Sequence, residues 1–182
     1  MKQVLKVLQV VNTALAKSAN VFAIVIMAII VLALTASAVT RFISGTGYDW
    51  LIELPPALVP WLVFPLLGPL LRTGDHIQVD LVPALLNHKN KTILRLMTSV
   101  IALIASIVFL IAGTEAVTLF KGLGQMMELE IEIPIWTMYL AFPVGFAMLA
   151  SFALEAILET IAELTGQAIP LADQAASESL PK

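Results

Sequence analysis

Four long apolar stretches constrain this chain more than any other feature of its sequence. They cover about residues 20–40, 54–71, 93–120 and 133–154. Each is close to or longer than the roughly 20 helical residues that cross the hydrocarbon core of a bilayer. Lipid offers no hydrogen-bond partners to the backbone, so spanning segments of this kind are helical. The sequence therefore predicts an all-α integral membrane protein with four transmembrane helices.

The overall composition supports the same class of protein. Hydrophobic residues make up 59% of the 182 residues and charged residues 13%, whereas a soluble domain has about half and about a quarter. The first apolar run exceeds the roughly 7 to 15 residues of a signal-peptide core, which favours a retained span. We expect one membrane domain over residues 1–165. The Gly-, Pro-, Ser- and Ala-containing residues 166–182 are predicted to be a disordered cytoplasmic tail.

The positions of the basic residues predict the orientation of the chain, because positive loops tend to stay in the cytoplasm. Most basic residues precede the first span or surround the link between the second and third spans: Lys2, Lys6, Lys17, Arg72, Lys89, Lys91 and Arg95. The other two links carry Arg41 and Lys121 and most of the tryptophan and tyrosine residues, as an outer interfacial belt does. Both termini are predicted to be cytoplasmic.

Two amphipathic segments flank the spans. In the first 20 residues, Val4, Leu8, Val11 and Leu15 recur at helical spacing, which favours a helix lying in the membrane surface; the alternative is the beginning of the first span. After the second span, Asp80 is placed to cap a short helix with an apolar face. We expect this second helix also to lie in the cytoplasmic surface.

The second span contains half of the chain's ten prolines, at positions 55, 56, 60, 65 and 69. Each proline removes a helical hydrogen bond and kinks the axis. A broken helix lining a substrate site, as in some transporters, is one interpretation. Because residues 54–71 contain no polar side chain apart from that of Trp61, we favour a kinked helix packed against protein. Trp61 is deep enough to pack between helices.

Charged residues avoid the interiors of the first two spans, although pumps and ion-coupled carriers need such residues near the bilayer centre. Arg41, Glu53 and Glu115 lie toward the outer interface, where they are expected to pair with one another or with a partner. An ion pathway is the alternative. Glu155, Glu159 and Glu163 share one helical face, which we expect to leave the membrane and face water.

The sequence predicts neither an enzyme nor a bound cofactor. It contains no cysteine, no HExxH or GxSxG motif and no Gly-rich phosphate loop, and nothing in it indicates a nucleic-acid partner. His76 and Asp80 are four residues apart, but with Asp75 alone nearby they make a poor metal site. We expect them to form a hydrogen-bonded corner after the second span; stoichiometric metal in the purified protein would contradict this interpretation.

The last outer link contains a short acidic pattern. Glu128, Glu130 and Glu132 alternate with apolar residues, which places the three carboxylates on one side of an extended segment. One interpretation is a solvated acidic loop. The other is a surface that receives a periplasmic partner, which replacement of all three residues by Gln would test through the salt dependence of transport.

Three segments in this order resemble the DctQ-like small membrane subunit of tripartite ATP-independent periplasmic (TRAP) transporters. The segments are "DWLIELPPALVPWLVFPLL", "RTGDHIQVDLVPALL" and "IPIWTMYLAFPVGFAML". The residues that carry the resemblance are Trp50, Glu53, Trp61, Arg72, Gly74, His76, Asp80, Pro134, Trp136, Pro143 and Gly145. The similarity covers about residues 20–160. It departs from the family pattern at Ile52, where members often have a second acid beside the one at Glu53.

The resemblance implies a non-catalytic scaffold in the bacterial inner membrane. Its partners would be membrane lipids, a large DctM-like transport subunit that carries sodium and substrate, and a DctP-like periplasmic binding protein that delivers an organic acid. The motif residues named above, with Arg41 and Glu115, are candidates for structural or partner contacts, and no catalytic, substrate-binding or metal-binding residue is expected. Two alternatives are the small subunit of a tricarboxylate-type tripartite carrier and an autonomous small transporter or channel.

The predicted topology has a direct test because the chain contains no cysteine. Cysteines introduced by Ser179→Cys and Gln125→Cys should react with an impermeant reagent from opposite sides of the membrane. Labelling of both positions in intact cells would contradict the assignment of both termini to the cytoplasm.

Overall fold

The computed structural model describes residues 2–73, 88–127 and 132–165, and nearly all of them are helical. Six α-helices follow one another within these ranges: α1 (Lys2–Ser44), α2 (Trp50–Val63), α3 (Leu67–Thr73), α4 (His88–Leu123), α5 (Ile135–Tyr139) and α6 (Ala141–Leu164). A single 3-10 turn, Phe64–Leu66, joins α2 to α3. The predicted all-α fold is confirmed.

Four helical segments of the described chain are long and apolar enough to cross a membrane: Gln3–Ser44, Trp50–Thr73, Asn90–Leu123 and Ile135–Leu164. We refer to them as spans 1 to 4. They contain the four predicted apolar stretches almost entirely, so the number and order of the spans are confirmed. The helical spans are longer than the predicted apolar stretches, because helical backbone continues beyond the apolar residues at one or both ends of each span.

The first 20 residues differ in one respect from the expected surface-lying helix. They are helical, but they continue without interruption into span 1, so that α1 is a single helix of 43 residues. The sequence between Lys2 and Ser44 contains neither Gly nor Pro, and nothing in it therefore breaks or kinks the helix. The alternative interpretation, in which this segment begins the first span, describes the structure better.

Span 2 packs against the rest of the bundle, as predicted, and a 3-10 turn interrupts its α-helix. Its 3-10 turn begins beside Pro65, where the amide of Phe64 still donates to the carbonyl of Pro60. The amide of Leu67 then donates to the carbonyl of Phe64. Pro55, Pro65 and Pro69 are buried, so the turn is covered by protein, as disrupted helical backbone at membrane depth must be.

Helix α6 is the centre of the bundle and contacts α1, α2, α3, α4 and α5. Glycines let its neighbours approach closely, as small residues do between membrane helices. A Cβ atom added at Gly145 would lie 2.5 Å from the carbonyl oxygen of Phe64. One added at Gly68 would lie 2.5 Å from the ring of Phe152, and one at Gly113 would lie 3.2 Å from the ring of Pro143.

Helices α1 and α4 pack inside the bundle through a seven-residue repeat. In α1 the buried positions include Leu5, Asn12, Ala19, Ile26 and Ala33, and in α4 they include Thr92, Ser99 and Ser106. A seven-residue period keeps one side of a helix against its neighbour when the helices cross at a shallow angle. The repeat therefore identifies which side of α1 and α4 packs inside the chain.

The close approach at Gly145 makes a prediction about stability. Gly145→Ala places a methyl group against the rigid backbone of Phe64 and should destabilise the bundle by about 1–3 kcal/mol, the usual cost of overpacking. Gly122→Ala is the matched control, since nothing lies within 4 Å of a Cβ atom at that helical position; it should be neutral or slightly stabilising. Unfolding in mixed micelles measures both, and equal stabilities would contradict the close packing.

Candidate functional site

A buried polar network lies at the end of the bundle where α1 begins and α6 ends. The carboxylate of Glu155, whose residue is only 2% exposed, accepts a hydrogen bond at Oε2 from Asn12 Nδ2 at 2.6 Å. Its Oε1 lies 3.6 Å from Arg72 Nη2 at the end of α3. Oε1 accepts no hydrogen bond from the described residues, so one hydrogen bond and one ion pair are the interactions that offset the cost of burying this carboxylate.

Asn12 is fully buried, and both polar atoms of its side chain form hydrogen bonds. Besides its bond to Glu155, Nδ2 donates to the carbonyl of Ser151 at 3.2 Å. In return Oδ1 accepts a hydrogen bond from Ser151 Oγ at 2.7 Å. Reciprocal bonds of this kind have one geometry, so they fix the register of α1 against α6 as well as their separation.

The periphery of the network reaches the remaining spans. Glu159 accepts from Gln9 Nε2 at 2.9 Å and pairs with Arg95 Nη2 of α4 at 3.2 Å. Arg72 also donates to Thr13 Oγ1 at 2.9 Å, and Thr92 donates to Glu163 at 3.0 Å. All four spans are thus joined at one end of the bundle, where span 1 begins and span 4 ends. This agrees with the prediction that both termini lie on the same side of the membrane.

The expectation that the three glutamates of α6 face water is wrong for Glu155. The prediction that they share one face is right, but this face turns toward α1, α3 and α4 rather than away from them. Glu155 is buried, the side chain of Glu159 is 31% exposed, and Glu163 at the end of the helix is exposed. Burial of the three glutamates therefore falls toward the end of α6.

The network lies at the edge of the membrane rather than at its centre. About 20 helical residues cross the hydrocarbon core, and the outer ends of the spans carry Arg41 in α1 and Trp136 in α5. Counting inward from Trp136, α6 leaves the core near position 156. Glu155 and its partner Asn12 therefore lie at the inner boundary, with Gln9 and Glu159 beyond it.

The opposite, outer end is built from aromatic contacts. Trp61 packs between helices, as predicted, with its ring edge-on to Phe22 at 6.2 Å and its Nε1 donating to the carbonyl of Thr137 at 3.1 Å. The ammonium group of Lys121 lies 5.5 Å from the ring centroid of Trp136. These contacts connect all four spans at this end.

The candidate residues Arg41, Glu53 and Glu115 do not form ion pairs with one another. Ion pairs between described residues include Arg72–Glu155 and Arg95–Glu159. Arg41 instead lies across Gly47. Glu115 is exposed on α4, and Glu53 has one buried oxygen without a hydrogen-bond partner among the described residues. Pairing with another protein stays a prediction for all three.

Some of the other candidate residues belong to the described helices and turns, and the rest lie outside the described residues. Trp50 begins α2, Pro134 precedes α5 and accepts from Thr137, and Pro143 and Gly145 are buried in α6. Gly74, His76 and Asp80 lie outside the described residues, as do Glu128, Glu130 and the tail. Within the described ranges, no three His, Asp or Glu side chains are grouped as metal ligands would be.

Sequence reasoning missed Asn12, Ser151, Gln9 and Arg95 as members of the network. Asn12 interrupts the repeat of Leu5, Ala19 and Ile26, and a polar residue at a seven-residue position is a known means of fixing helix register. The buried position of Asn12 could therefore have been predicted from the sequence. Ser151, by contrast, has no pattern around it that would separate a network member from an ordinary helix serine.

Comparison with known proteins gives one result. A family model described as tripartite ATP-independent periplasmic transporters, DctQ component, matches residues 30–163. The match includes spans 2, 3 and 4 and the outer part of α1. A comparison with curated proteins finds no match.

The network predicts strong coupling between Asn12 and Glu155. Asn12→Ala or Glu155→Ala alone leaves a buried partner unsatisfied, and the double variant should lose less stability than the sum, with a coupling of about 0.5–3 kcal/mol. The matched control is the more exposed pair Arg95 and Glu159, for which about 0–1 kcal/mol is expected. Unfolding free energies of the two double-mutant cycles measure this, and additive effects at Asn12 and Glu155 would contradict it.

Proposed function

Because the chain belongs to the DctQ component family of tripartite ATP-independent periplasmic transporters, we propose that it is the scaffold subunit of a sodium-coupled transporter for organic acids. In this role the chain performs no chemistry and holds a large transport subunit in the bacterial inner membrane. A periplasmic binding protein delivers the substrate to that complex. The chain itself is a multi-pass membrane protein of a transporter.

The observation that best supports a scaffold role is that charged side chains pair between the chain's own helices. In the described part of the chain, Arg72 with Glu155 and Arg95 with Glu159 join the chain's own helices. Both pairs lie at or beyond the inner membrane boundary. A substrate or ion pathway instead requires ionisable groups near the bilayer centre, facing a cavity.

The polar side chains nearer the middle of the membrane also serve their own helices. Thr35 Oγ1 donates to the carbonyl of Val31 at 2.7 Å, and Ser106 Oγ donates to the carbonyl of Leu103 at 2.8 Å. Neither presents a free group to a permeating anion. This disfavours an autonomous transporter or channel, whereas the family match favours the TRAP type over a tricarboxylate-type carrier.

The exposed surface of the bundle suits a protein with large membrane partners. Most side chains of α1 and α4 that do not face α6 are exposed and apolar, including Ile24 and Leu32 in α1 and Ile101 and Ile104 in α4. Within the membrane such surfaces bind lipid or another membrane helix. Two broad apolar sides therefore leave room for both a large subunit and the surrounding lipid.

Reconstitution tests the proposed function. The chain, the large subunit and the binding protein together should take up an organic acid into liposomes when an inward sodium gradient is imposed. A panel of dicarboxylates, keto acids and sialic acid would identify the substrate class. Omitting this chain should abolish uptake, because the large subunit loses its support in the bilayer.

Two controls separate the alternatives. Uptake by this chain alone would show an autonomous transporter, and full uptake by the other two proteins without it would contradict the scaffold role. Uptake that needs all three proteins but not sodium would retain the scaffold and remove the proposed coupling ion.

A further inference from the structure

One charged side chain of span 3 faces away from the bundle. Glu115 is the only Asp, Glu, Lys or Arg between Arg95 and Lys121 of α4. Because a helical turn takes about 3.6 residues, Glu115 lies on the side of α4 opposite the buried Ser106, and it is exposed there. Ionisable residues within membrane spans almost always face the interior of a bundle or a water-filled cavity and pair with another group. The outward position of Glu115 therefore calls for a partner outside this bundle.

Contacts between spans 3 and 4 show how deep Glu115 lies. The two spans run in opposite directions, since Arg95 pairs with Glu159 at the inner end and the ammonium group of Lys121 lies over the ring of Trp136 at the outer end. Glu115 is about six residues, and thus about 9 Å along the helix, closer to the membrane centre than Lys121. Its Cβ atom points toward the beginning of α4, which is the inner end, and so away from the outer headgroups. The carboxylate therefore lies at a depth where lipid tails surround any surface that protein does not cover.

The described residues of the chain do not supply a partner for this carboxylate. Within residues 2–73, 88–127 and 132–165, it forms neither a hydrogen bond nor an ion pair. The neighbouring hydroxyl of Thr118 donates to the backbone carbonyl of Glu115 instead. The link that follows α4, residues 124–134, contains three more glutamates and no basic residue. It therefore brings no positive charge to the outward side of α4.

Glu115 continues a second repeat of α4, on the side that the bundle leaves uncovered. Four apolar residues on this side follow one another at spacings of three and four, and each is more than half exposed: Ile101, Ile104, Val108 and Ile111. This is the spacing of a seam between helices that pack side by side, and a single polar residue in such a seam fixes its register. Asn12 has that position in the buried repeat of α1. Glu115 has the same position in a repeat that the described helices do not cover.

Small side chains leave space beside the carboxylate. Ala112 and Ala116 flank Glu115, and together with Thr118 and Leu119 they line an open depression of about 630 Å³ on the surface of α4. Small residues let a neighbouring membrane helix approach closely. The depression can therefore receive a long side chain that reaches the carboxylate from that helix.

The charge of Glu115 determines what kind of occupant fits this side. Lipid tails offer no group that pairs with a carboxylate. Two copies of α4, which share one orientation in the membrane, would place one Glu115 beside the other, and like charges repel. A membrane helix with a basic side chain at this depth supplies the opposite charge. The outward side of span 1, by contrast, has no charged residue between Lys17 and Arg41 and suits lipid.

We propose that the outward side of α4 binds a transmembrane helix of the large transport subunit, and that an arginine or lysine of this helix pairs with Glu115. The inference rests on the proposed scaffold function and identifies which of the two apolar sides of the bundle meets the large subunit. The ion pair fixes the height of one protein against the other, because apolar side chains alone would allow the helices to slide.

Photo-crosslinking tests the surface in the assembled transporter. The photoreactive residue p-benzoylphenylalanine, placed at Val108 or Ile111 beside an intact Glu115, should form a covalent adduct with the large subunit. Leu32 is the matched control, since it is 69% exposed but belongs to span 1, outside the proposed contact; it should form little or no adduct. Absence of adducts from both α4 positions in an intact complex would overturn the inference while leaving the scaffold function in place.

Variants of Glu115 test the ion pair. Glu115→Leu leaves the cation of the partner unpaired and Glu115→Lys opposes it with a like charge, so each should retain about a tenth or less of the large subunit on co-purification. Glu115→Leu should fold normally, because a leucine exposed to lipid is more favourable than a glutamate. Thr35→Leu is the matched control, since it replaces an exposed polar side chain of span 1 and should retain the large subunit. Normal retention by both Glu115 variants would overturn the inference.

An exchange of charges identifies the partner residue. Each Arg and Lys in the spans of the large subunit is replaced by Glu in turn, and one of the variants that still fold should restore retention by Glu115→Lys. Failure of all of them would overturn the ion pair.

Other occupants give distinguishable results. Adducts that join two copies of this chain from Val108, in place of adducts with the large subunit, would assign the outward side of α4 to a second copy and overturn the inference. If the wild-type chain holds no large subunit at all, the scaffold function fails, and the partner proposed for α4 fails with it.

Discussion

The hydrogen bond between Asn12 and the buried carboxylate of Glu155 is the interaction on which the rest of the inner end depends. In combination with Arg72, it lets a charge occupy the boundary of the membrane inside a protein. The bond also fixes α1 in register along α6, which in turn decides which side of α1 is left outside. A purely apolar seam of the same helices would allow sliding and rotation, because lipid and side chains offer similar contacts.

Different kinds of interaction hold the helices together at the two ends of the bundle. At the outer end, Trp61 combines a ring contact with one hydrogen bond, and the ring of Trp136 lies beside the ammonium group of Lys121, contacts that suit the apolar body and polar edge of tryptophan. At the inner end the contacts are directional and charged. The second arrangement tolerates less displacement, so the inner end is expected to be the more rigid of the two.

The spans, the packed proline helix and the interhelical position of Trp61 were predictable because each follows from hydropathy or from a local property of one residue type. The burial of Glu155 was not predictable from the sequence. Three glutamates on one helical face are compatible with exposure to water, and they are equally compatible with pairing to polar residues of other helices, which here are Gln9, Asn12, Arg72 and Arg95. Only the tertiary arrangement distinguishes these cases. The continuity of α1 was visible in its lack of Gly and Pro, but its amphipathic pattern equally suited a helix in the membrane surface.

The unbroken course of α1 has a mechanical consequence. A helix of 43 residues is about 64 Å long, roughly twice the thickness of the hydrocarbon core, and it acts as one stiff rod. A tilt of its end beside Arg41 must be matched by displacement of its opposite end. α1 is therefore a lever through which a load at one surface of the membrane is felt at the other.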